Sequence, residues 1–491
     1  MSLARIAASG FLWTSIFGML SRVVTIGSTF ALTRFLAPEV YGEVNLASVL
    51  VLTLGAATSL GVMQYATAHP REGSDMLFHG HLMIVSTGVL CGLVSWLVAE
   101  PVGRMLGVPG LVAFVPGLAL AYVIERLGWM PRSILLRELR FRTFGLRVAV
   151  GEFTFATVAV ALAWGGLGGM AIVWASLARS TTSLLFLLVT TRARDYLTPY
   201  RLLGAQFRKM LRFGLPITVA NFFGMGATNW DNSFMGYRFG EATVGIYNQG
   251  YRLADLPSST FGDQINDVLV PTFGKLESVA DRKRAFLRAA SLMSLLVFPA
   301  AFGISVVSTT LVEAFYPPAY QDVGPFLMVL AATNFTRALG NLAGAFLQVV
   351  HRTAAFAVID FLLLVTVLGL MALLAPLGPL ASSAGVGIAF TIAVLLTLRV
   401  LRHEDLSLLE IAKACAPPLL ACVPLVLGVG AASWAMRGAI GSPVLRLAVE
   451  VLVGGACYVA ASFIVGRKIA LDFIDLALGT LRRRRARAIP D

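Results

Sequence analysis

Apolar residues run along this chain in long stretches that basic and polar connections separate. A helix needs about 20 apolar residues to cross the hydrocarbon core of a bilayer. Runs of about that length lie near residues 11–33, 43–66, 78–98, 110–130, 144–164, 169–190, 214–236, 243–271, 287–308, 324–349, 355–375, 380–400, 414–434 and 444–466. The pattern therefore predicts an all-α, polytopic membrane protein with about fourteen transmembrane helices.

The composition supports this fold class. Of the 491 residues, 57% are hydrophobic and 13% are charged, whereas soluble domains carry about 25% charged residues. The four cysteines all lie in apolar runs and form no CxxC pair. Neither a disulfide framework nor a metal site is therefore predicted.

The net charge of +13 would fit nucleic-acid binding if the basic residues formed one surface. They follow the membrane topology instead, and most lie in alternate connections, such as residues 132–142, 192–212 and the tail near 482–485. A cytoplasmic excess of Lys and Arg orients membrane proteins, so both termini are predicted to be cytoplasmic. We expect membrane lipids, and not nucleic acid, as the partners of these segments.

A short motif occurs twice along the chain. RF followed by GEVN at residues 34–45 returns as RF followed by GIYN at residues 238–248, an offset of 203 to 204 residues. Both copies fall at a predicted outward turn after an odd-numbered helix, as two parallel six-helix halves would place them. The predicted organisation is an N-terminal lobe at 1–195, a second lobe at 196–405, and helices 13 and 14 with a basic tail at 406–491.

Arginines inside the predicted spans are candidates for substrate binding. A charge at the centre of a membrane helix costs about 2.5–3.5 kcal/mol on insertion scales, so each one needs a partner, a wet cavity or a role. Arginine stays charged, and its planar guanidinium can hold two phosphate oxygens. A cationic cavity that accepts a lipid diphosphate is therefore predicted from Arg22, Arg147, Arg179, Arg252 and Arg337.

Three of these arginines also have structural interpretations. Arg252 and Asp255 are three residues apart on one helix face, where they can neutralise each other in part. Arg179 can pair with Glu152 on the neighbouring helix. Arg147 lies near the inner interface, where a long side chain can extend its charged end to the head groups.

Arg22 and Arg337 have no acidic residue within a helical turn, so we expect these two to bind substrate. Asp231, Asp360 and Glu152 are candidates for carrying a coupling ion, because a desolvated carboxylate binds a proton readily. The same acids could instead be counter-charges to the arginines. No metal site and no cofactor are expected, and Na⁺ and H⁺ are the coupling ions considered.

Several segments are similar to those of Wzx-type polysaccharide flippases in the MOP exporter superfamily. They are LTRFLAPEVYG at 32–42, LLRELRFR at 135–142, FGLP at 213–216, GIYN at 245–248 and YRLADLP at 251–257. The resemblance implies two six-helix lobes around a cavity that opens alternately to each side. It further implies transport of undecaprenyl diphosphate-linked oligosaccharide repeat units across the bacterial inner membrane, with other polysaccharide assembly proteins as further partners.

Three other functions fit the sequence less well. A multidrug or cation antiporter of the same superfamily needs an acidic cavity, which the intramembrane arginines disfavour. A membrane glycosyltransferase or polymerase needs a sizeable loop with clustered carboxylates or histidine, but the longest outward connection covers only about 309–323. A scaffold for polysaccharide assembly would leave the intramembrane charges unexplained. We therefore expect a transporter and not an enzyme.

Overall fold

The computed structural model describes residues 3–69, 72–274, 278–350, 352–436 and 441–475. All regular structure in these residues is helical, which confirms the predicted all-α class. The predicted basic tail near 482–485 lies outside the described residues. The described helices are α1 (Leu3–Leu32), α2 (Pro38–Ala57), α3 (Val62–Ala68), α4 (Ser74–Leu106), α5 (Val115–Leu127), α6 (Trp129–Arg137), α7 (Phe141–Trp164), α8 (Met170–Thr190), α9 (Arg194–Leu197), α10 (Gly204–Phe239), α11 (Glu241–Gly274), α12 (Val279–Phe315), α13 (Val323–Val349), α14 (Thr353–Leu374), α15 (Pro379–Val400), α16 (Leu408–Ala435) and α17 (Pro443–Val465).

Nine helices within the described ranges are long and apolar enough to cross a membrane, judged by length and composition. They are α2, α4, α7, α8, α12, α14, α15, α16 and α17. The chain is therefore a multi-pass membrane protein, as predicted. The predicted spans at 43–66 and 110–130 each correspond to two shorter helices, α2 with α3 and α5 with α6. The total of fourteen spans stays a prediction.

Tertiary contacts divide the chain into two compact units, Met1–Asn248 and Gln249–Asp491. In the first unit, α7 packs between α1 and α8, α5 packs on α8, and α10 packs on α2, α3 and α4. In the second unit, α12 contacts α13, α16 and α17, while α15 packs on α13 and α14. The lobe boundaries that the repeat predicts at 195 and 405 stay a prediction.

The connection between α2 and α3 is shaped by contact with α10. Leu60 and Gly61 lie between the end of α2 at Ala57 and the start of α3 at Val62, and both have positive φ angles, +49° and +57°. A Cβ on Gly61 would lie 2.6 Å from the Cα of Gly214, and a Cβ on Gly214 would overlap the carbonyl oxygen of Leu60. Glycine is required at both positions because the two backbones touch. Gly214 and Pro216 lie inside the continuous helix α10 and do not end it.

Glu72, in the connection between α3 and α4, joins helices α3, α6 and α10 of the first unit. Its Oε1 accepts hydrogen bonds from Tyr65 Oη at 2.9 Å and from Lys209 Nζ at 2.6 Å. Its backbone oxygen accepts a hydrogen bond from Arg137 Nη2 at 2.7 Å. Burial raises the pKa of Glu72, but the hydrogen bonds from Lys209 and Tyr65 outweigh burial and hold that pKa below its ordinary value.

Candidate functional site

A polar cavity of about 160 Å³ lies in the first unit between α5, α7 and α8. Its charged lining residues are Glu125 from α5, Arg147 and Glu152 from α7, and Arg179 from α8. The helical period places them there, since Arg147 and Gly151 are one turn apart on α7, as are Arg179 and Ser183 on α8. The remaining lining residues are Val148, Gly151, Ser180 and Ser183. Three of the predicted site residues, Arg147, Glu152 and Arg179, thus line one cavity.

Arg179 and Glu152 form the ion pair that the sequence predicts between neighbouring helices. Arg179 Nη1 lies 3.3 Å from Glu152 Oε1. The other carboxylate oxygen of Glu152 accepts a hydrogen bond from Thr25 Oγ1 of α1 at 3.2 Å. The Arg179 guanidinium carbon also lies 5.2 Å from the ring centre of Phe155. Glu152 therefore links α1, α7 and α8, and it holds Arg179 by one of its two oxygens.

Arg147 contributes a second positive charge to the same cavity. Its Nε atom is buried and has no hydrogen-bond partner in the part of the chain that the structure describes. The guanidinium carbon lies 5.6 Å from the ring centre of Phe144, within the range of a cation–π contact. A buried donor without an acceptor costs about 1–3 kcal/mol. An anionic oxygen that entered the cavity would therefore find an available donor.

Arg337 occupies a different setting in the second unit, where α13 meets α11 and α15. Its Nη1 lies 2.9 Å from Oδ1 of Asp255 and donates a hydrogen bond to Tyr251 Oη at 2.7 Å. The guanidinium carbon is 4.9 Å from the ring centre of Phe390. Arg337 and Asp255 are 18% and 24% exposed, so the pair is partly shielded from solvent. An anion that binds Arg337 would compete with Asp255.

Asp231 is fully buried between α10 and the start of α11. Its Oδ2 accepts a hydrogen bond from Tyr247 Oη at 2.5 Å, and its Oδ1 accepts one from the backbone N–H of Asn232 at 2.8 Å. Asn248 Nδ2 in turn donates to Asn232 Oδ1 at 3.1 Å. The carboxylate thus belongs to a polar network that joins the two helices, and its role as an ion carrier stays a prediction.

The other predicted residues lie on three separate helices. Arg22 is half-buried on α1 and is not among the residues that line the cavity of the first unit. Arg252 is exposed on α11. Asp360 is half-buried on α14, and within the described ranges its carboxylate makes no hydrogen bond or ion pair. Their assignment to substrate or ion binding stays a prediction.

Arg126 is fully buried, with 0% of its side chain exposed, although the sequence pattern does not single it out. Its Nη2 donates to the carbonyl oxygen of Gly55 and to Tyr122 Oη, both at 2.6 Å. Its guanidinium carbon lies 4.0 Å from the ring of Trp129. Arg126 falls at the inner end of a predicted apolar run, where a basic residue is normally in contact with head groups. The available signal is the aromatic spacing, because Tyr122 and Trp129 lie one turn to either side.

Comparison with known proteins relates the chain to polysaccharide biosynthesis. The family described as "Polysaccharide biosynthesis protein" matches residues 31–325, more than half of the chain. The chain is 23% identical over 362 residues to the lipopolysaccharide biosynthesis protein WzxC of Escherichia coli (strain K12), an alignment that covers 71% of each protein. It is 24% identical over 356 residues to the teichuronic acid biosynthesis protein TuaB of Bacillus subtilis (strain 168), covering 70% of this chain and 72% of TuaB.

Among solved structures, the chain is similar to the lipid II flippase MurJ in its inward closed conformation. The TM-score is 0.76, and the superposition covers 94% of this chain and 100% of MurJ. Sequence identity over that superposition is 12%. At this level of identity the likeness shows a shared fold.

Proposed function

The chain belongs to the polysaccharide biosynthesis protein family, and from that membership we propose that it is a flippase for undecaprenyl diphosphate-linked oligosaccharide repeat units. It would move them across the bacterial inner membrane by alternating access, with both of its termini in the cytoplasm. The names of WzxC and TuaB, and the lipid II flippase activity for which MurJ is named, support the substrate class. The observation that carries the proposal is that Arg147 and Arg179 both line one cavity of the first unit.

Two of the four charged residues that line this cavity, Arg147 and Arg179, suit an anionic head group, and the other two are Glu125 and Glu152. A lipid diphosphate is the part of the substrate that cannot enter hydrocarbon alone, because desolvation of its charges is costly. Arg147 offers a buried N–H that no described residue accepts, and Arg179 offers a guanidinium that one carboxylate oxygen holds. The lipid tail stays in the bilayer and the sugars follow the head group. No covalent bond is made or broken, so the protein acts as a transporter and not as an enzyme.

The ion pair supplies a way to couple transport to protons. When Glu152 is ionised, it competes with a phosphate oxygen for Arg179. When Glu152 takes up a proton, it loses the charge that holds Arg179, and the guanidinium becomes available to the diphosphate. Proton binding and substrate binding then favour each other, so a proton would accompany each repeat unit outward and an inward-directed proton gradient would slow transport. Glu152 is therefore the coupling carboxylate of the proposal, with H⁺ as the ion.

Deletion of the gene, followed by analysis of membrane lipids, tests the proposal. We expect lipid-linked repeat units to accumulate on the cytoplasmic face, and plasmids that encode the natural chain to reverse this. Arg147→Ala and Arg179→Ala should not restore transport. Arg104→Ala is the matched control, since Arg104 is exposed at the end of α4 and pairs with Glu100 on the same helix. Unchanged lipids together with altered drug sensitivity would contradict the proposal and favour an antiporter.

A further inference from the structure

The first turns of α2 and α11 touch through two glycines. Gly42 lies against the backbone of Glu241, and a Cβ built on Gly42 would overlap the Glu241 carbonyl oxygen. Gly245 lies against the backbone of Pro38, and a Cβ built on Gly245 would overlap the Pro38 carbonyl oxygen. Both glycines are buried. Every side chain larger than hydrogen is therefore excluded from both positions while the contact is made.

This contact is reciprocal with respect to the internal repeat. Pro38 and Glu241 are the first residues of α2 and α11, and Gly42 and Gly245 are the fifth. With the repeat offset of 203 residues, Glu241 is the equivalent of Pro38 and Gly245 is the equivalent of Gly42. Each glycine thus packs on the repeat equivalent of the residue that begins its own helix. Such mutual contacts are the geometry of a two-fold interface, here between two parts of one chain.

The chemistry of the contact allows it to form and break. Each glycine directs a Cα hydrogen at a carbonyl oxygen, a weak interaction that recurs where membrane helices approach closely. No side chains interlock at the two glycines, so separation requires no rotamer change there. While the backbones touch, no solute can pass between them. A close backbone contact without interlocked side chains can act as a reversible seal.

Two features next to the glycines oppose permanent closure. Asn45 and Asn248, which are also repeat equivalents, follow the glycines by three residues. The Oδ1 atoms of both are buried without a hydrogen-bond partner among the residues that the structure describes. Glu43 and Glu241 interact as like charges. Separation of α2 from α11 would relieve the repulsion and expose both amide oxygens to donors.

We propose that the Gly42–Gly245 contact is the outward seal of the transport path, closed in this structure and broken when the path opens outward. The inference rests on the proposed transport function and on the predicted topology, which places the starts of α2 and α11 at the outward side. The seal lies within the first compact unit, and its two halves come from the two repeats. A Cβ at either glycine should hold the seal open.

Thiol labelling tests the seal without reference to any substrate. Asn45→Cys, in a chain whose four natural cysteines are replaced by alanine, places a reporter just below the seal. With Gly42→Ala or Gly245→Ala added, a membrane-impermeant maleimide applied from the outer side should label it about tenfold faster. Gly369→Ala is the matched control, because a Cβ on this helical glycine of α14 meets nothing within 4 Å. Unchanged labelling in either folded alanine variant would overturn the proposal.

A tether tests the seal with both glycines in place, should the alanine variants fail to fold. Cysteines at Glu39 and Ala242 flank the contact and can be joined by a short cleavable thiol cross-linker. Transport should stop in the tethered protein and return on reduction, and transport at the untethered rate would overturn the seal. Faster labelling in Gly42→Ala without any transport of lipid-linked sugar would uphold the seal and remove the proposed substrate. Normal transport of lipid-linked sugar by the tethered protein would overturn the seal and support the proposed substrate.

Discussion

Asp255 of α11 forms an ion pair with Arg337 of α13 at 2.9 Å, which joins two helices of the second unit. The hydroxyl of Tyr251, one turn before Asp255, accepts a hydrogen bond from the same guanidinium nitrogen. An arginine that the sequence places alone in an apolar span is thus balanced by groups from another helix. Asp255 and Tyr251 hold the guanidinium group of Arg337 in place. A substrate anion that binds Arg337 must displace Asp255 or bind the guanidinium group together with it.

This pairing predicts a measurable coupling between the two residues. Replacement of either by alanine leaves the other charge partly buried, so each single variant should lose stability. We expect the Arg337→Ala and Asp255→Ala double-mutant cycle to give a coupling free energy of about 1–3 kcal/mol. Unfolding of the four proteins in one detergent measures it. Additive effects within about 0.5 kcal/mol would show that the ion pair does not contribute.

Arg126 should be important for the stability of the first unit. Arg126→Ala removes the donors that satisfy the Gly55 carbonyl oxygen and Tyr122 Oη, and it empties space beside Trp129. We expect a loss of about 2–4 kcal/mol in the free energy of unfolding. The matched control is Arg104→Ala, which removes an exposed arginine and should change stability by less than about 0.5 kcal/mol. Equal melting temperatures of the two variants would contradict this account.

Arg126 also shows why part of the packing beside the site could not be predicted from the sequence. Periodicity and charge predict where helices run and which side of the membrane they face. They also predict the Arg179–Glu152 pair, because these residues lie on consecutive antiparallel helices. They do not predict which faces of more distant helices touch. One partner of Arg126 on another helix is the carbonyl oxygen of Gly55, a backbone atom that carries no signal in the sequence.

The same limit applies to the break between α2 and α3. The apolar run at 43–66 predicts one span, and the residue types at Leu60 and Gly61 do not by themselves require a turn. In the structure Gly214 of α10 lies against this turn, and the residue types along the apolar run do not reveal that tertiary contact. The two copies of the motif with Gly42 and Gly245 are recognisable in the sequence as a repeat, but only the structure shows that they touch.

Glu152→Gln should separate binding from coupling. The amide cannot carry the charge that holds Arg179, so the variant resembles the transporter with Glu152 protonated at every pH. We expect it to retain substrate-dependent transport and to lose the response of transport rate to an imposed proton gradient. Transport rates at several gradients, compared with those of the natural chain, measure this. A Glu152→Gln variant with the natural response would exclude Glu152 as the coupling carboxylate.

Stability at acidic pH should depend on Glu72. Lys209 and Tyr65 lower the pKa of Glu72 in the folded protein. The contribution of Glu72 to the free energy of unfolding is therefore present above the unfolded pKa of about 4.3, and it is lost as the pH falls through the lower pKa of the folded protein. The natural chain should therefore lose more stability over this window than Glu72→Gln. Melting temperatures of both proteins across the window check the sign. Parallel curves would show that the hydrogen bonds of Glu72 do not affect folding.

The proposed flippase function is tested most directly by the initial rate at which purified protein in proteoliposomes moves a labelled undecaprenyl diphosphate-linked oligosaccharide between leaflets. The natural chain should accelerate this movement. Arg147→Ala, Arg179→Ala, Arg22→Ala and Arg337→Ala should each slow it by about 10- to 100-fold, since each loses a charge-assisted contact. Arg104→Ala should retain the natural rate. Folded natural protein that moves no lipid-linked sugar, or arginine variants that all keep the full rate, would contradict the account.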